Sequence, residues 1–193
     1  MPKKILGIDP GSRTTGFAVL CEQENRYRVI ECDVIRLDKM EGHTERLQFI
    51  FDEVTRLIRT HSPDECAIET PVYGVDPLAM LKLGRAQAAA ILAMSNEGLA
   101  VAEYYPKAVK KAITGNGNAS KQQVAFMLGK MMILDDEKMP EDATDALAVA
   151  WCHFIHSGPQ TGNKPAKKMH QNNRKSDWAQ FVADNPGRVK GND

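Results

Sequence analysis

Hydrophobic and polar positions in the first part of the chain predict three consecutive strands. Residues 4–9 are a short apolar run that stops at Pro10-Gly11, which is typical of a buried strand followed by a turn. Residues 16–22 and 26–37 alternate between apolar and polar side chains on either side of a polar turn. We therefore expect a first strand and then a hairpin.

Farther along, the pattern alternates between helical and strand periods. Residues 43–61 and 77–96 carry apolar positions three and four apart, which predicts two amphipathic helices. The other predicted elements are strands at 66–69 and 99–104, two helices flanking a loop at 115–118, and a last helix from 140 to about 156. A hairpin followed by β-α-β alternation predicts an α/β fold: a mixed sheet with an antiparallel three-strand start, then parallel strands, and helices on its faces.

The length of 193 residues favours one domain and a tail. The periodic pattern ends near residue 156, so we assign residues 1–156 to the domain. Residues 157–193 carry seven basic and three acidic side chains and are rich in Gly, Pro, Asn and Gln. This composition predicts a basic, disordered tail.

Composition excludes several classes of protein. The net charge is zero, which rules out a globally basic nucleic-acid binder but leaves room for a local basic face. No apolar run is long enough for a signal-peptide core or a membrane span. The four cysteines are scattered without a CxxC pair, which favours reduced thiols and a cytoplasmic location.

Charge is unevenly distributed within this neutral sum. Residues 104–130 contain five lysines and no acid, whereas residues 135–145 contain six acids and one lysine. A Gly-Asn-Gly-Asn loop at 115–118 lies inside the cationic segment, and backbone amides in such a loop can contact phosphate. The pattern indicates a polyanionic partner held near a group of carboxylates.

Four acidic residues differ from the rest because of their positions. Asp9 ends the first predicted strand and Glu69 ends the fourth, while Asp142 and Asp145 share one face of the last helix. Strand ends that meet one crevice are where ligands bind in such sheets. For Asp142 alone, a helix-capping or solvent-facing role is the preferred interpretation.

Carboxylates gathered at such a crevice would repel one another unless cations lay between them. Oxygen ligands without a His or Cys set suit Mg²⁺ or Mn²⁺, and two such ions can cleave a phosphodiester. His153 lies about two turns beyond Asp145 and is interpreted as an ordinary helix residue. Metal-dependent cleavage of nucleic acid is the simplest hypothesis.

With these residues identified, the chain resembles the RuvC family of Holliday-junction resolvases, which have an RNase H-like fold. The resemblance covers roughly residues 3–156. It rests on an ordered set of motifs: ILGIDPGSRTTG at 5–16, AIE at 67–69, LKLGRAQ at 81–87, VK…GNG…K at 109–121 and DATDALAVA at 142–150.

The resemblance implies a homodimeric, Mg²⁺-dependent endonuclease that cuts two strands of a four-way DNA junction symmetrically, leaving a 5′-phosphate and a 3′-hydroxyl. Two ions per site are implied, with Mn²⁺ as a substitute, and a branch-migration motor as a partner. Carried over by motif, the metal ligands would be Asp9, Glu69, Asp142 and Asp145. Lys110 and Lys121 would lie against the scissile backbone. Lys107 and Lys111 fit DNA contact or an ordinary solvated surface about equally.

The chain departs from the family pattern after Glu69, where the family usually has aromatic side chains that can stack on a base. Tyr73 is the one obvious stacking candidate, and Asp76 stands where the family often has Asn. The family dimerises through the region of the 77–96 helix, whose small residues Ala88, Ala89 and Ala90 would permit close helix approach. An apolar stripe on that helix is otherwise typical of core packing.

Two other functions fit part of the sequence. The GIDPGS and TTG segments also resemble the phosphate-binding turn of the actin, sugar-kinase and chaperone ATPases. Those enzymes enclose a nucleotide between two such domains, and this chain supplies one. The other alternative is a junction-binding module without catalysis, which the presence of all four carboxylates does not favour.

Overall fold

The computed structural model describes residues 2–23, 26–72, 74, 76–133 and 139–157, all within one compact unit. The tail predicted from residue 157 onward lies outside the described residues except for Ser157. In chain order, the elements of the described part are β1 (Lys4–Asp9), β2 (Thr14–Gln23), β3 (Arg26–Arg36), α1 (His43–His61), β4 (Glu65–Glu69), α2 (Pro77–Asn96), β5 (Val101–Tyr104), α3 (Pro106–Thr114), α4 (Lys121–Met131) and α5 (Glu141–Ser157).

The strands form one mixed sheet in the order β3-β2-β1-β4-β5. β1 pairs antiparallel with β2, and β2 with β3, whereas β4 runs parallel to β1 and β5 parallel to β4. The predicted fold class is therefore confirmed. Ile8 lies beside Ile68 in the register, so Asp9 and Glu69, which follow them, leave the sheet at the same edge.

Helices cover both faces of the sheet, as the alternation of buried side chains along the central strands requires. In β1, Leu6 and Ile8 point to the core shared with α1 and α2. Ile5 points to the second core, which the last three helices build. α5 packs in this second core, so its predicted acidic residues lie on this face of the sheet.

α5 packs directly on the backbone of β1 and β2 because glycines face it. A β-carbon on Gly7 would overlap the backbone of Ala146, and one on Gly16 would overlap the carbonyl oxygen of Asp142. The helix can therefore lie closer to the sheet than ordinary side chains would allow. This close packing fixes Asp142 beside Asp9, because Asp9 is paired with Gly16 across the strands.

A partly buried polar network joins α5 to the other end of the sheet. The Glu65 carboxylate lies 2.7 Å from Nε2 of His153 and 2.9 Å from Nζ of Lys3. The His153 Nδ1 lies 2.9 Å from the Tyr104 hydroxyl. Burial acts to raise the pKa of Glu65, but its contacts with Lys3 and His153 outweigh burial and lower it. His153 is therefore a structural partner of Glu65.

The small residues of α2 divide between the core and the surface. Ala89 and Ala90 are buried in the core that α2 shares with α1, as the core-packing interpretation expects, whereas Ala88 is exposed. The apolar side chains that α2 leaves uncovered are leucines at Leu78, Leu81 and Leu92, each at least half exposed. These three leucines define the exposed leucine face of α2.

Replacing Gly16 with alanine tests the close packing of α5. The added methyl group must push α5 away from β2, so Gly16→Ala should lower the free energy of unfolding by roughly 1–3 kcal/mol in chemical denaturation. Gly84→Ala is the matched control, because nothing lies within 4 Å of a β-carbon there. Alanine in that helical position should leave stability unchanged or raise it by up to about 1 kcal/mol. Equal effects at the two sites would contradict the packing argument.

Candidate active site

Three of the four predicted carboxylates meet at one edge of the sheet. Asp9 is the last residue of β1, and Asp142 and Asp145 lie in the first turns of α5. One carboxylate oxygen from each of the three lies within 4.8 Å of the others, and each residue is half-buried. We call Asp9, Asp142 and Asp145 the acidic cluster.

Glu69 ends β4 next to Asp9 and lies in the same cleft as Asp9 and Asp142. It is outside the set of oxygens within 4.8 Å, so its carboxylate is the more distant of the four. Its charge still acts on the cluster, because it contributes to the raised pKa of Asp9. The structure thus brings all four predicted carboxylates to one place, three of them with oxygens within 4.8 Å of one another.

Burial and the repulsion of neighbouring carboxylates raise the pKa of Asp9 and of Glu69. Burial raises the pKa of Asp9 to about 8, and the charges of Glu69, Asp145 and Asp142 act in the same direction. Burial, and then the charge of Asp145, raises the pKa of Glu69 to about 7. Acids held this way are typical of functional sites, because the fold maintains a repulsion that a bound cation would relieve.

The acidic residues form the floor of a cleft of about 440 Å³. The turn between β1 and β2 forms one side of the cleft, and Pro71, Val72, Leu83 and Pro106 form an apolar side. The cleft is open to solvent, so part of an extended polymer can enter it and reach the carboxylates. An enclosed pocket for a small molecule would require a cover that the described residues do not supply.

Among the described residues, Lys121 is the cation in direct contact with the cluster. Its Nζ donates to the Asp145 carboxylate at 2.7 Å and forms an ion pair with Glu141 at 2.6 Å. Burial acts to lower the pKa of Lys121, but the two hydrogen bonds outweigh burial and raise it. Lys121 therefore remains charged beside the cleft and offsets part of the cluster's negative charge.

The other predicted lysines lie on α3. Lys110 is half-buried, and its charge acts to lower the pKa of Glu69, against the dominant effects of burial and Asp145. Lys107 and Lys111 are exposed, and in the described part of the chain neither has an ion-pair partner. Unpaired surface lysines next to an acidic cleft are available to bind phosphate.

Three residues near the cleft were missed by the sequence analysis. Thr14 donates a hydrogen bond from its hydroxyl to the Asp142 carboxylate, Glu141 pairs with Lys121, and Arg13 lies on the rim of the cleft. Thr14 and Arg13 lie in the GSRTTG motif, so their nearness to Asp9 was a usable signal. The pairing of Glu141 with Lys121 depends on how α4 and α5 pack, and the sequence holds no signal for it.

Of the two residues that depart from the family pattern, the structure describes Asp76 only. Tyr73 lies outside the described residues. Asp76 is the N-cap of α2, where its carboxylate accepts hydrogen bonds from the backbone amides of Leu78 and Ala79 at 2.9 and 3.2 Å. The acid thus has a local structural reason to be there, since an N-cap carboxylate satisfies amides that the helix leaves free.

The donor set of the acidic cluster fits a divalent cation. Its ligands are carboxylate oxygens, with neither histidine nor cysteine in the group, which suits a hard ion such as Mg²⁺ or Mn²⁺. The raised pKa of Asp9 is the expected mark of acidic groups gathered without their counter-charge. Asp9, Asp142 and Asp145 would hold such an ion, with Glu69 close enough to contribute.

Comparison with known proteins agrees with this geometry. The family model described as crossover junction endodeoxyribonuclease RuvC matches residues 5–153. The RuvC proteins of Salinibacter ruber and Porphyromonas gingivalis are each 45% identical to this chain, over 96% of it and over 98% and 96% of their own lengths. The RuvC of Thermus thermophilus, solved in complex with a Holliday junction substrate, is 28% identical with a TM-score of 0.74, covering 80% of this chain and 94% of that one.

The mixed sheet and the acidic cluster at its edge define an RNase H-like protein of the nuclease class. More narrowly, the chain belongs to the RuvC family of crossover junction endodeoxyribonucleases. The resemblance drawn from the motifs is therefore confirmed, and the alternative of a two-domain ATPase is disfavoured.

The raised pKa values predict that cation binding depends on pH. Without metal, Asp9 and Glu69 favour their protonated forms, so the metal-free protein should lose stability as pH rises from about 4 through about 8. A cation must displace these protons, so its binding should strengthen over the same range. We expect Mg²⁺ to raise the Tm more at about pH 8.5 than at about pH 6.

Thermal unfolding with Mg²⁺ or EDTA at the two pH values measures this difference. Asp9→Asn removes the group with the most strongly raised pKa and should reduce both the Mg²⁺ effect and its pH dependence. An equal rise in Tm at both pH values in the unmodified protein would contradict the prediction.

Proposed function

We propose that this protein resolves four-way DNA junctions by paired, symmetric nicks, in recombination and DNA repair. The observation that carries the proposal is the acidic cluster at the ends of β1 and α5, in a chain of the RuvC family. The open cleft above the cluster suits a DNA strand, and the neighbouring lysines suit its phosphates.

The catalytic groups are Asp9, Glu69, Asp142 and Asp145, which would bind two Mg²⁺ ions, with Mn²⁺ as a substitute. When bound, such ions activate water for attack on the phosphodiester and stabilise the leaving oxygen. The hydrogen bond from Thr14 orients the Asp142 carboxylate. Cleavage leaves a 5′-phosphate and a 3′-hydroxyl, the ends that a ligase can join.

Lys110 and Lys121 stabilise the negative charge that develops on the phosphate during attack. Lys121 is held at the cluster by Asp145 and Glu141, so its charge is in place before DNA arrives. Lys107 and Lys111 bind the DNA backbone farther along α3. Tyr73 stacks on a base near the cut, the role that family aromatics after Glu69 would have.

The enzyme acts as a homodimer, because a two-fold dimer presents two active sites to a nearly two-fold junction. The exposed leucine face of α2 supports this assignment, since large apolar side chains exposed on one side of a helix are a feature of interaction sites. A branch-migration motor is the partner that would move the junction. Within the described residues, none of the helices has the length and hydropathy of a membrane span. We assign the enzyme to the cytoplasm on the basis of its scattered cysteines, which favour a reducing compartment.

Cleavage of a mobile four-way junction tests the function. Paired symmetric nicks should appear on the junction with Mg²⁺, and should be absent with EDTA and on a linear duplex of the same sequence. Asp145→Asn should keep junction binding and lower the cleavage rate by orders of magnitude, because a metal ligand is lost. Binding without cleavage by the unmodified protein would favour the non-catalytic module, and full activity of Asp145→Asn would overturn the site assignment.

The exposed leucine face predicts the dimer contact. Leu81→Glu places a charge at the centre of that face and should convert the dimer to a monomer, as measured by analytical ultracentrifugation. The nicks in the two strands should then lose their coupling. Phe126→Glu is the matched control, because Phe126 is also exposed but lies on α4, which packs on the opposite face of the sheet from α2. If Leu81→Glu stayed dimeric, the interface would lie elsewhere.

A further inference from the structure

Arg13 is a charged residue of the cleft that the proposed mechanism does not use. It is the last residue of the turn between β1 and β2, directly before Thr14, and it lines the cleft with Asp9 and Glu69. It is exposed, and within the described ranges it has no ion-pair or hydrogen-bonding partner for its guanidinium. An arginine beside several carboxylates without pairing to them is available for an external anion.

The backbone that carries Arg13 is held firmly although its side chain is free. The amide of Leu37 donates to the Arg13 carbonyl oxygen at 2.9 Å. Nη1 of Arg46 donates to the Ser12 carbonyl oxygen at 3.3 Å, and the amide of Gly11 donates to the Thr15 hydroxyl at 3.3 Å. These contacts hold the backbone of the turn in place. Less backbone conformational entropy is therefore lost when the Arg13 side chain binds a ligand.

The topology places Arg13 and the lysines of α3 on opposite sides of the carboxylates. β2 lies on one side of β1 and β4 lies on the other, with β5 beyond it. Along this edge of the sheet the order is therefore the turn bearing Arg13, Asp9, Glu69, and then α3 with Lys110. Lys107, Lys110 and Lys111 lie on α3, which follows β5, so Arg13 is a separate positive charge on the β2 side of the carboxylates.

We propose that Arg13 binds a backbone phosphate of the junction strand that enters the cleft, on the side of the scissile phosphate opposite to Lys110. The carboxylates at the base of the cleft repel a DNA strand that crosses them. The lysines of α3 can bind its phosphates on one side, and a cation is needed to bind them on the other. The guanidinium can donate two parallel N–H hydrogen bonds to one phosphate. This geometry would orient the strand, and the positive charge would offset the charge of the phosphate. The proposal rests on the proposed function, since it assigns a residue to the same substrate.

The test compares Arg13→Ala and Arg13→Lys with Arg56→Ala, the last being a matched control. Arg56 is an exposed arginine on α1 that pairs with Glu53 at 2.9 Å and is not among the residues lining the cleft. Junction binding is measured over a range of salt concentrations with Asp145→Asn in every protein, so that no DNA is cut. Single-turnover cleavage is measured with Asp145 intact, and thermal unfolding checks that each variant is folded.

We expect Arg13→Ala to weaken junction binding by about fivefold and to lower the slope of log affinity against log salt by about one phosphate contact per site. The protein concentration that half-saturates cleavage should rise in parallel, with the rate at saturation changing less than twofold. Arg13→Lys should keep the salt slope, because the charge remains, while losing part of the affinity. Arg56→Ala should match the unmodified protein.

Two results would overturn the assignment. If Arg13→Ala and Arg56→Ala had the same salt slope and affinity, Arg13 would not contact DNA. If the saturated cleavage rate fell by orders of magnitude at unchanged affinity, Arg13 would act on the reacting phosphate. Cleavage by the protein without these substitutions is measured in the same series, so failure of the proposed function would be seen there separately.

Discussion

The repulsion among the half-buried carboxylates is the constraint on which this structure depends. Asp9 and Glu69 end adjacent strands that are buried between helices, and α5 brings Asp142 and Asp145 onto them. The charges of Glu69, Asp145 and Asp142 raise the pKa of Asp9, and that of Asp145 raises the pKa of Glu69. The helix comes this close because Gly7 and Gly16 let it lie directly on the sheet. The rigid packing holds in place an arrangement that the carboxylates by themselves would oppose.

The two ends of β4 show how local partners decide whether an acid is structural or reactive. Glu65 begins the strand with Lys3 and His153 in contact, and its pKa is lowered. Glu69 ends the same strand without such a contact among the described residues, and its pKa is raised to about 7. The charge of Glu65 is therefore balanced by Lys3 and His153 within the protein. The charge of Glu69 would be balanced by metal ions and by the cations around the cleft.

The three cationic side chains around the cleft differ in how strongly each interacts with the carboxylates. Lys121 is bound to the cluster itself, Lys110 acts on it through space, and Arg13 on the opposite rim has a fixed backbone and a free guanidinium. This gradation matches a substrate whose reacting phosphate needs a preset charge and whose flanking phosphates need only contact. The arrangement supports catalysis on a strand that lies across the sheet edge.

The sequence by itself determined the order of elements, the mixed sheet, and the acids that end β1 and β4, because strand and helix periods and strand-ending turns are local properties. Asp142 and Asp145 could likewise be placed on one face of α5 from their spacing. Only the tertiary structure decided that Ala89 and Ala90 pack within the chain, that Lys121 pairs with Glu141, and that Arg13 faces the lysines across the carboxylates. Those contacts join helices and turns that are far apart in the sequence, and a local pattern of residues does not encode how such segments pack together.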